Sequence, residues 1–515
     1  MATPGQKLAE SLKVLKGIQD KGIVAIRTFE LGRVHRERLV KNNYIREIIK
    51  GWYLSVPSDE QPGDSTSWYT SFWPFCEEYL ADRYGEAYCL SADQSLQIHS
   101  GNWTVPQQLM VRSLSGPNGM TQFPYNTSLF TIKSALPDIA EVQTVNGIRI
   151  LTLPSSLIHC SPLMFTKNPT DTRTALSMIR DSSEILSLLL DGGHSTIAGR
   201  LAGAFRNIGK IKIADDVIKI MRSAGYNIKE SDPFETVSPL IFNHRVFSPY
   251  VNRLKMMWHD MREVVLEHFP AAPGIPEDHQ KYMKQVEELY VTDAYHSLSI
   301  EKYSVTAELI NRVRSGEWDI ENNENDKRQR DAMAARGYWQ ATQKVRKSII
   351  RILNHENPGA VVDKDHGDWY RELFGPSVSA GILKPSDLAG YRISQVYISQ
   401  SKHVPLNVNA VRDVMPVFFE LLNEESKPSV RAVLGHFVFV YIHPYMDGNG
   451  RMARFLMNAM FASGGYPWTV IPVEERKIYM EVLEKASVEQ DIKPFTNYLS
   501  YLVNAGLKGL PVAEI

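Results

Sequence analysis

Apolar positions recur at helical spacing from residue 10 to 20 (Leu12, Val14, Leu15, Ile18), which predicts a helix at the start of the chain. A short apolar stretch at 23–26 follows, then Thr28 as a helix cap, and then 33–42, where basic residues recur at helical spacing. Two short strand-like runs around Lys50-Gly51 close this segment. Helix, turn, basic helix and hairpin is the order of a winged helix-turn-helix. From 65 to 157 the pattern changes to short β-rich runs (107–112, 129–133, 148–152) punctuated by proline and glycine, as at 116–119. The aromatic cluster 68–75 reads as core. Helical spacing returns from 172 to 225, and the polar stretch 227–235 reads as a linker. From about 251 onward, helical patterns are long and nearly continuous. One interruption, 390–398, alternates as a strand and is followed by a turn at 399–405.

A chain of 515 residues exceeds what one core usually serves, so several domains are expected. A net charge of −1 argues against attraction of the whole chain to nucleic acid or an anionic membrane, while leaving room for a local basic patch. Cys76, Cys89 and Cys160 fit no metal-binding spacing and read as reduced thiols. The N-terminus lacks the apolar core of a signal peptide, and the longest apolar run, 433–442, is too short to span a bilayer. These features predict a cytoplasmic protein with no membrane partner; a homo-oligomer is left open. His99, His159 and His194 lie in unrelated patterns and read as structural or exposed.

Chemistry concentrates in 441–454, Tyr-Ile-His-Pro-Tyr-Met-Asp-Gly-Asn-Gly-Arg-Met-Ala-Arg. A buried helix is predicted before it and strong helix formers follow it, so Gly448, Asn449 and Gly450 make a tight turn opening a second helix. Free amides at a helix start, with no side chain on the glycines, form an anion seat. Arg451 and Arg454 share one helical face and can reach one polyphosphate. Asp447 is a hard oxygen ligand of the kind Mg2+ takes beside substrate phosphates. His443 is placed to take a proton from an attacking hydroxyl.

This stretch resembles the Fic-domain signature, with Tyr445 where phenylalanine is usual. The resemblance covers approximately 278–507 and implies a protein adenylyltransferase that moves AMP from ATP·Mg2+ to a Ser, Thr or Tyr hydroxyl of a target protein or of itself. It assigns His443 as the base, Asp447 to the metal, and Gly448, Asn449, Gly450, Arg451 and Arg454 to the phosphates. Gly450 counts against a phosphorylating relative, in which a bulkier residue changes nucleotide orientation; other nucleotides, such as UTP, stay open. Ser297-x-x-x-Glu301 resembles an inhibitory motif whose glutamate pairs with the second arginine of the signature, here Arg454, although Lys302 stands where Gly or Asn is expected. The strand at 390–398 resembles the β-hairpin flap that docks a target segment, with Ser399, Lys402 and His403 at its turn. The segments at 466–473 and 476–479 resemble the part that closes over the nucleoside.

Between Arg27 and Lys50, seven Lys/Arg (27, 33, 36, 38, 41, 46, 50) stand against three Glu (30, 37, 47), a footprint suited to phosphate contacts. Arg33, Arg36, Arg38 and Lys41 are the candidate DNA-binding residues. The segment is similar to the winged-helix module of abortive-infection antitoxins, which implies a DNA partner. The rival reading is therefore a DNA-binding regulator whose Fic domain acts as a sensor or self-modifying switch. The expected architecture is multidomain and mainly α: a winged helix-turn-helix (1–60), an antitoxin-like α+β region (61–235), and an all-α Fic domain with a β-hairpin flap and an N-terminal inhibitory helix (236–515).

Overall fold

A computed structural model describes residues 3–58, 60–61, 63–238, 240–241, 248–316 and 330–515. It divides into two compact units, Met1–Arg253 with Tyr397–Val404, and Leu254–Val396 with Pro405–Ile515. The division thus falls at 253, where the sequence pattern suggested 235.

In the first unit, helix Pro4–Gln19 starts at a capping box in which the Thr3 hydroxyl and the Gln6 side chain each take a backbone N–H. Strand β1 (Ile26–Arg27) precedes the basic helix Arg33–Lys41, and β2 (Ile45–Ile49) and β3 (Trp52–Ser55) form the hairpin. The three strands pair in the order β1-β3-β2, antiparallel throughout. Leu15, Ile18, Ile26, Leu39, Ile45 and Tyr53 fill the core between sheet and helices. Thr28 does not cap the basic helix. Gly32 holds the cap position, and the Thr28 hydroxyl donates instead to the Gly51 carbonyl at 3.0 Å.

Helix Thr66–Tyr84 carries the aromatic cluster into a second core with Leu109, Val111 and Leu129. Those residues lie on a mixed sheet of β4 (Tyr88–Leu90), β5 (Gln108–Ser113), β6 (Gly119–Gln122) and β7 (Ser128–Lys133), ordered β4-β5-β7-β6 with β5 and β7 parallel. Helices Pro169–Met178, Ser183–Asp191, Ser195–Asn207 and Ile211–Ser223 follow. The polar stretch expected as a linker packs instead on helix Ser195–Asn207. A Cβ on Gly199 or Gly203 would fall 2.1 or 2.2 Å from the carbonyl oxygens of Lys229 and Ser231, so these two glycines allow the close approach. All three cysteines are buried and unpaired, and burial pushes each thiol pKa upward.

The second unit is helical. Among the described residues, no helix is long and apolar enough to cross a membrane. Helix Pro428–Ile442 is buried on nearly all sides and packs against helix Asn449–Ala462, with Gly435 admitting the Leu456 side chain. The expected flap hairpin is absent: the described residues of 390–407 contain no strand. The carbonyls that a ladder would use are taken by side chains. Arg392 donates to the carbonyls of Ser394 and Leu406, and Gln395 donates to that of Pro405. Tyr397–Val404 belongs to the first compact unit. There the Ser399 hydroxyl lies 3.0 Å from that of Thr66, and the Lys402 carbonyl accepts from the Val105 N–H at 2.9 Å.

Candidate active site

Helix Pro428–Ile442 ends at His443, which caps it in the left-handed conformation (φ 55°, ψ 61°) while its N–H closes on the Phe439 carbonyl at 3.0 Å. That conformation costs a non-glycine residue roughly 1–2 kcal/mol, so its surroundings must hold it. His443 Nδ1 lies 3.2 Å from the Val440 carbonyl oxygen, an acceptor, so Nδ1 carries the proton and Nε2 keeps its lone pair. Burial pulls the His443 pKa down to about 4, with Arg392 lowering it further and Glu301 and Asp447 opposing. The neutral imidazole is therefore available as a base throughout the physiological range.

The folded state holds His443 at about 4 and His436, also buried, at about 3, against an ordinary 6.5 for each. Above pH 6.5 both states are neutral and the histidines contribute nothing to the balance. As pH falls from 6.5 toward 4, the unfolded chain takes up protons that the folded chain refuses, so stability drops. Thermal unfolding of the parent should show this acid-side fall in Tm, and His443→Ala should flatten part of it.

The turn after His443 is built by Asn449 and Gly448. The Asn449 side chain accepts from the Tyr445 N–H and donates to the Tyr445 carbonyl, both at 2.9 Å. Gly448 sits at φ 80°, and a Cβ there would lie 2.7 Å from the Phe374 ring. Gly448→Ala should lower stability by at least about 1–3 kcal/mol, read as a drop in Tm. The Tyr445 ring stacks on Tyr370, centroids 3.8 Å apart, which explains why an aromatic is needed at this position.

Both arginines are buried, Arg451 to 1 % exposure and Arg454 to 3 %. The Arg451 guanidinium lies 5.1 Å from the Tyr303 ring centroid and 4.9 Å from that of Phe374. Arg454 donates from Nε to the Ser297 hydroxyl at 2.8 Å, and from Nη2 to the Ser297 carbonyl at 3.0 Å and Glu301 Oε1 at 2.7 Å. Arg451 Nε and Arg454 Nη1 are buried with no hydrogen-bond partner. Two desolvated cationic donors left over beside a helix N-terminus suit an anion with several oxygens.

Burial favours a neutral Glu301, but the charges of Arg454 and Arg451 outweigh it and hold the carboxyl below its ordinary range. Glu301 caps the C-terminus of helix Tyr290–Ile300, and Lys302 follows at φ 65°. This left-handed position is why Gly or Asn suits the resembled motif; lysine adopts the same turn here at a backbone cost. A Cβ on Gly450 would fall 2.3 Å from Glu301 Oε1, so glycine gives the carboxylate its room.

Asp447 is 60 % exposed at the side chain; its Oδ1 accepts from the Gly448 N–H at 2.6 Å and its Oδ2 lies 3.5 Å from Arg451 Nη2. Among the described residues no group of three or more His, Cys, Asp or Glu is placed to hold a metal. A single accessible carboxylate beside an anion seat does fit Mg2+, which takes its remaining ligands from phosphates and water.

Residues 367–461 match the model of the Fic/DOC family. This stretch is similar to Fic domains. The protein adenylyltransferases Fic of Drosophila willistoni and Drosophila virilis are 27% and 28% identical to this chain over 234 residues, 45% of this chain and 43% or 44% of theirs. The chain thus spans less than half the length of these curated relatives. A solved structure of Fic-1 from C. elegans aligns at a TM-score of 0.37 and 17% identity, covering 68% of this chain and 97% of that one.

The structure gathers His443, Asp447, Gly448, Asn449, Gly450, Arg451, Arg454, Ser297 and Glu301 into one site around the Fic-domain turn. It leaves Ser399, Lys402 and His403 in the first compact unit, along with Arg33, Arg36, Arg38 and Lys41. On the basic helix much of the charge is spent locally. Arg33 pairs with Glu37, Arg36 donates to the Thr28 carbonyl, and Arg38 donates to the Lys7 carbonyl and the Ser11 hydroxyl. Sequence reasoning missed Tyr303, Phe374 and Arg392. Tyr303 stands two residues after Glu301, which was its available signal; the other two carry no local pattern.

Proposed function

We propose that this chain is a protein adenylyltransferase held back by Glu301. The observation that carries the reading is the pair of buried arginine nitrogens without partners, on the helix that opens just after a neutral histidine base. The nucleotide's phosphates lie on the amides that open helix Asn449–Ala462, with Arg451 and Arg454 compensating their charge. Asp447 would hold Mg2+, which when bound neutralises phosphate charge. A target hydroxyl oxygen attacks the α-phosphorus, the bond to the β-phosphate oxygen breaks, and pyrophosphate leaves. His443 Nε2 takes the hydroxyl proton. The homologues named adenylyltransferases support this assignment.

In this arrangement Glu301 occupies Arg454 Nη2 and places a negative charge where phosphate oxygens need a positive one. Incubation of the Glu301→Gly chain with Mg2+ and ATP labelled at either the α or the γ phosphate tests the chemistry. Label from the α position should stay on protein; retention of γ label would mean phosphorylation and overturn the reading.

A second reading concerns residues 3–56. Helix Arg33–Lys41 beside a β-hairpin keeps Arg33 82 % exposed at its side chain, which supports a phosphate-contacting face. Because Arg38 ties the helix to Lys7 and Ser11, its removal would disturb the fold, so Arg33 and Lys41 are the informative pair to replace. If this module binds DNA, their joint replacement by Gln should weaken a gel shift at stated salt and lower the salt slope by about 2. An unchanged slope would remove this face from consideration.

A further inference from the structure

Arg392 is 1 % exposed, and no carboxylate among the described residues offsets its burial. A buried cation without a counter-ion is costly, and burial pulls the Arg392 pKa down to about 10. Its donors go instead to backbone carbonyls. Nε donates to the His443 carbonyl at 2.8 Å, Nη1 to that of Ser394 at 3.1 Å, and Nη2 to that of Leu406. The Arg392 main-chain N–H adds a bond to the Pro444 carbonyl at 2.9 Å. One residue thus holds the two consecutive carbonyls that leave the strained histidine, and both ends of the 394–406 segment.

We propose that Arg392 is a positioning residue, which aims His443 by locking the left-handed His443-Pro444 step to the ends of the 394–406 segment through one guanidinium. The histidine needs such a lock. Its conformation is unfavourable on its own, and its other restraints, the N–H to Phe439 and Nδ1 to Val440, lie on the helix side. Rotation of the peptide beyond His443 would shift the turn at 445–450 relative to Nε2, and Arg392 restrains that rotation through the His443 and Pro444 carbonyls. A planar fork reaches three carbonyls in three directions, whereas a lysine ammonium presents its donors from one point. This inference rests on the adenylyltransferase reading for its consequence, though not for its geometry.

The test compares Arg392→Lys and Arg392→Met with the parent by hydrogen–deuterium exchange of the full chain, and repeats both substitutions in the Glu301→Gly chain with α-labelled Mg·ATP. Exchange should rise together in 393–396 and 443–449 while the middle of helix Pro428–Ile442 stays protected. The transfer rate at saturating ATP should fall about 100-fold with little change in KM for ATP, because a misplaced base spoils geometry and leaves phosphate binding intact. Arg392→Lys keeps the charge and loses the fork, and should show the same exchange change. Should Arg392→Met fail to fold, Arg392→Lys decides alone. Exchange that rises in only one segment, or in neither, overturns the proposal, as does a loss carried by KM. If the Glu301→Gly chain itself transfers no AMP, the functional reading fails and the exchange measurements still decide the positioning role.

Discussion

Replacing Glu301 with glycine is expected to raise nucleotide transfer by about 5–150-fold, the range of a coupling free energy of roughly 1–3 kcal/mol between an inhibitory group and a site. In the resting structure the Glu301 carboxylate engages Arg454. Its Oε1 sits 2.7 Å from Arg454 Nη2 and within 2.3 Å of where a side chain on Gly450 would begin, so it lies over the phosphate seat. Removing it frees a buried guanidinium that the Ser297 hydroxyl and carbonyl still orient. The arginine therefore stays in place while its charge becomes available to the nucleotide. Intact-mass measurement after incubation with Mg·ATP would show the gain as AMP added to the chain. Equal labelling of the parent and Glu301→Gly would sink the inhibition, since Glu301 would then be a spectator partner of Arg454. Glu301→Gln sharpens the test: it fills similar space without the charge, so intermediate activation would separate steric from electrostatic restraint.

In the Glu301→Gly background, His443→Ala should lower transfer by about 10²–10⁴-fold, the usual worth of a positioned base. Alanine is also strained at φ 55°, so the backbone cost is similar with either residue and the change should leave folding largely intact. The binding of Mg·ATP, carried by the amides and arginines beyond the turn, should survive. A variant that still transferred AMP at the parent rate would show that the hydroxyl loses its proton elsewhere. The parent's acid limb supplies an independent check. With the His443 pKa at about 4, activity should persist well below the 6.5 expected of an ordinary histidine.

The Fic-domain site was legible because its chemistry is contiguous. A histidine, a carboxylate, two glycines around an asparagine and two arginines three apart all lie within one helix–turn–helix, where sequence spacing and spatial spacing nearly coincide. The strands at 107–112, 129–133 and 148–152 and the aromatic core were legible for a related reason, since alternation and burial are local patterns. The flap was not. Its residues alternate as a strand does, but Arg392 and Gln395 take the carbonyls that a hairpin ladder would use. The strand pattern lost to side-chain donors. The linker at 227–235 failed similarly, because Gly199 and Gly203, thirty residues earlier, open a seat for its backbone.

By itself the sequence determined the helix–turn–helix around 441–454, the helical class of the second half, and the contiguous set of residues, His443, Asp447, Gly448, Gly450, Arg451 and Arg454, proposed as base, metal carboxylate and anion seat. Tertiary structure alone decided that Tyr303 and Phe374 flank Arg451 and that Arg392 holds the peptide beyond His443, and it brought Glu301 onto Arg454, the partner that resemblance implied. The division has a physical cause. Helical periodicity and turn preference are set by neighbours within a few residues, so a string of residues carries them. A buried cation finds its partners across 51 residues, as Arg392 does at His443, or 153, as Arg454 does at Glu301, and those pairings exist only once the helices have packed.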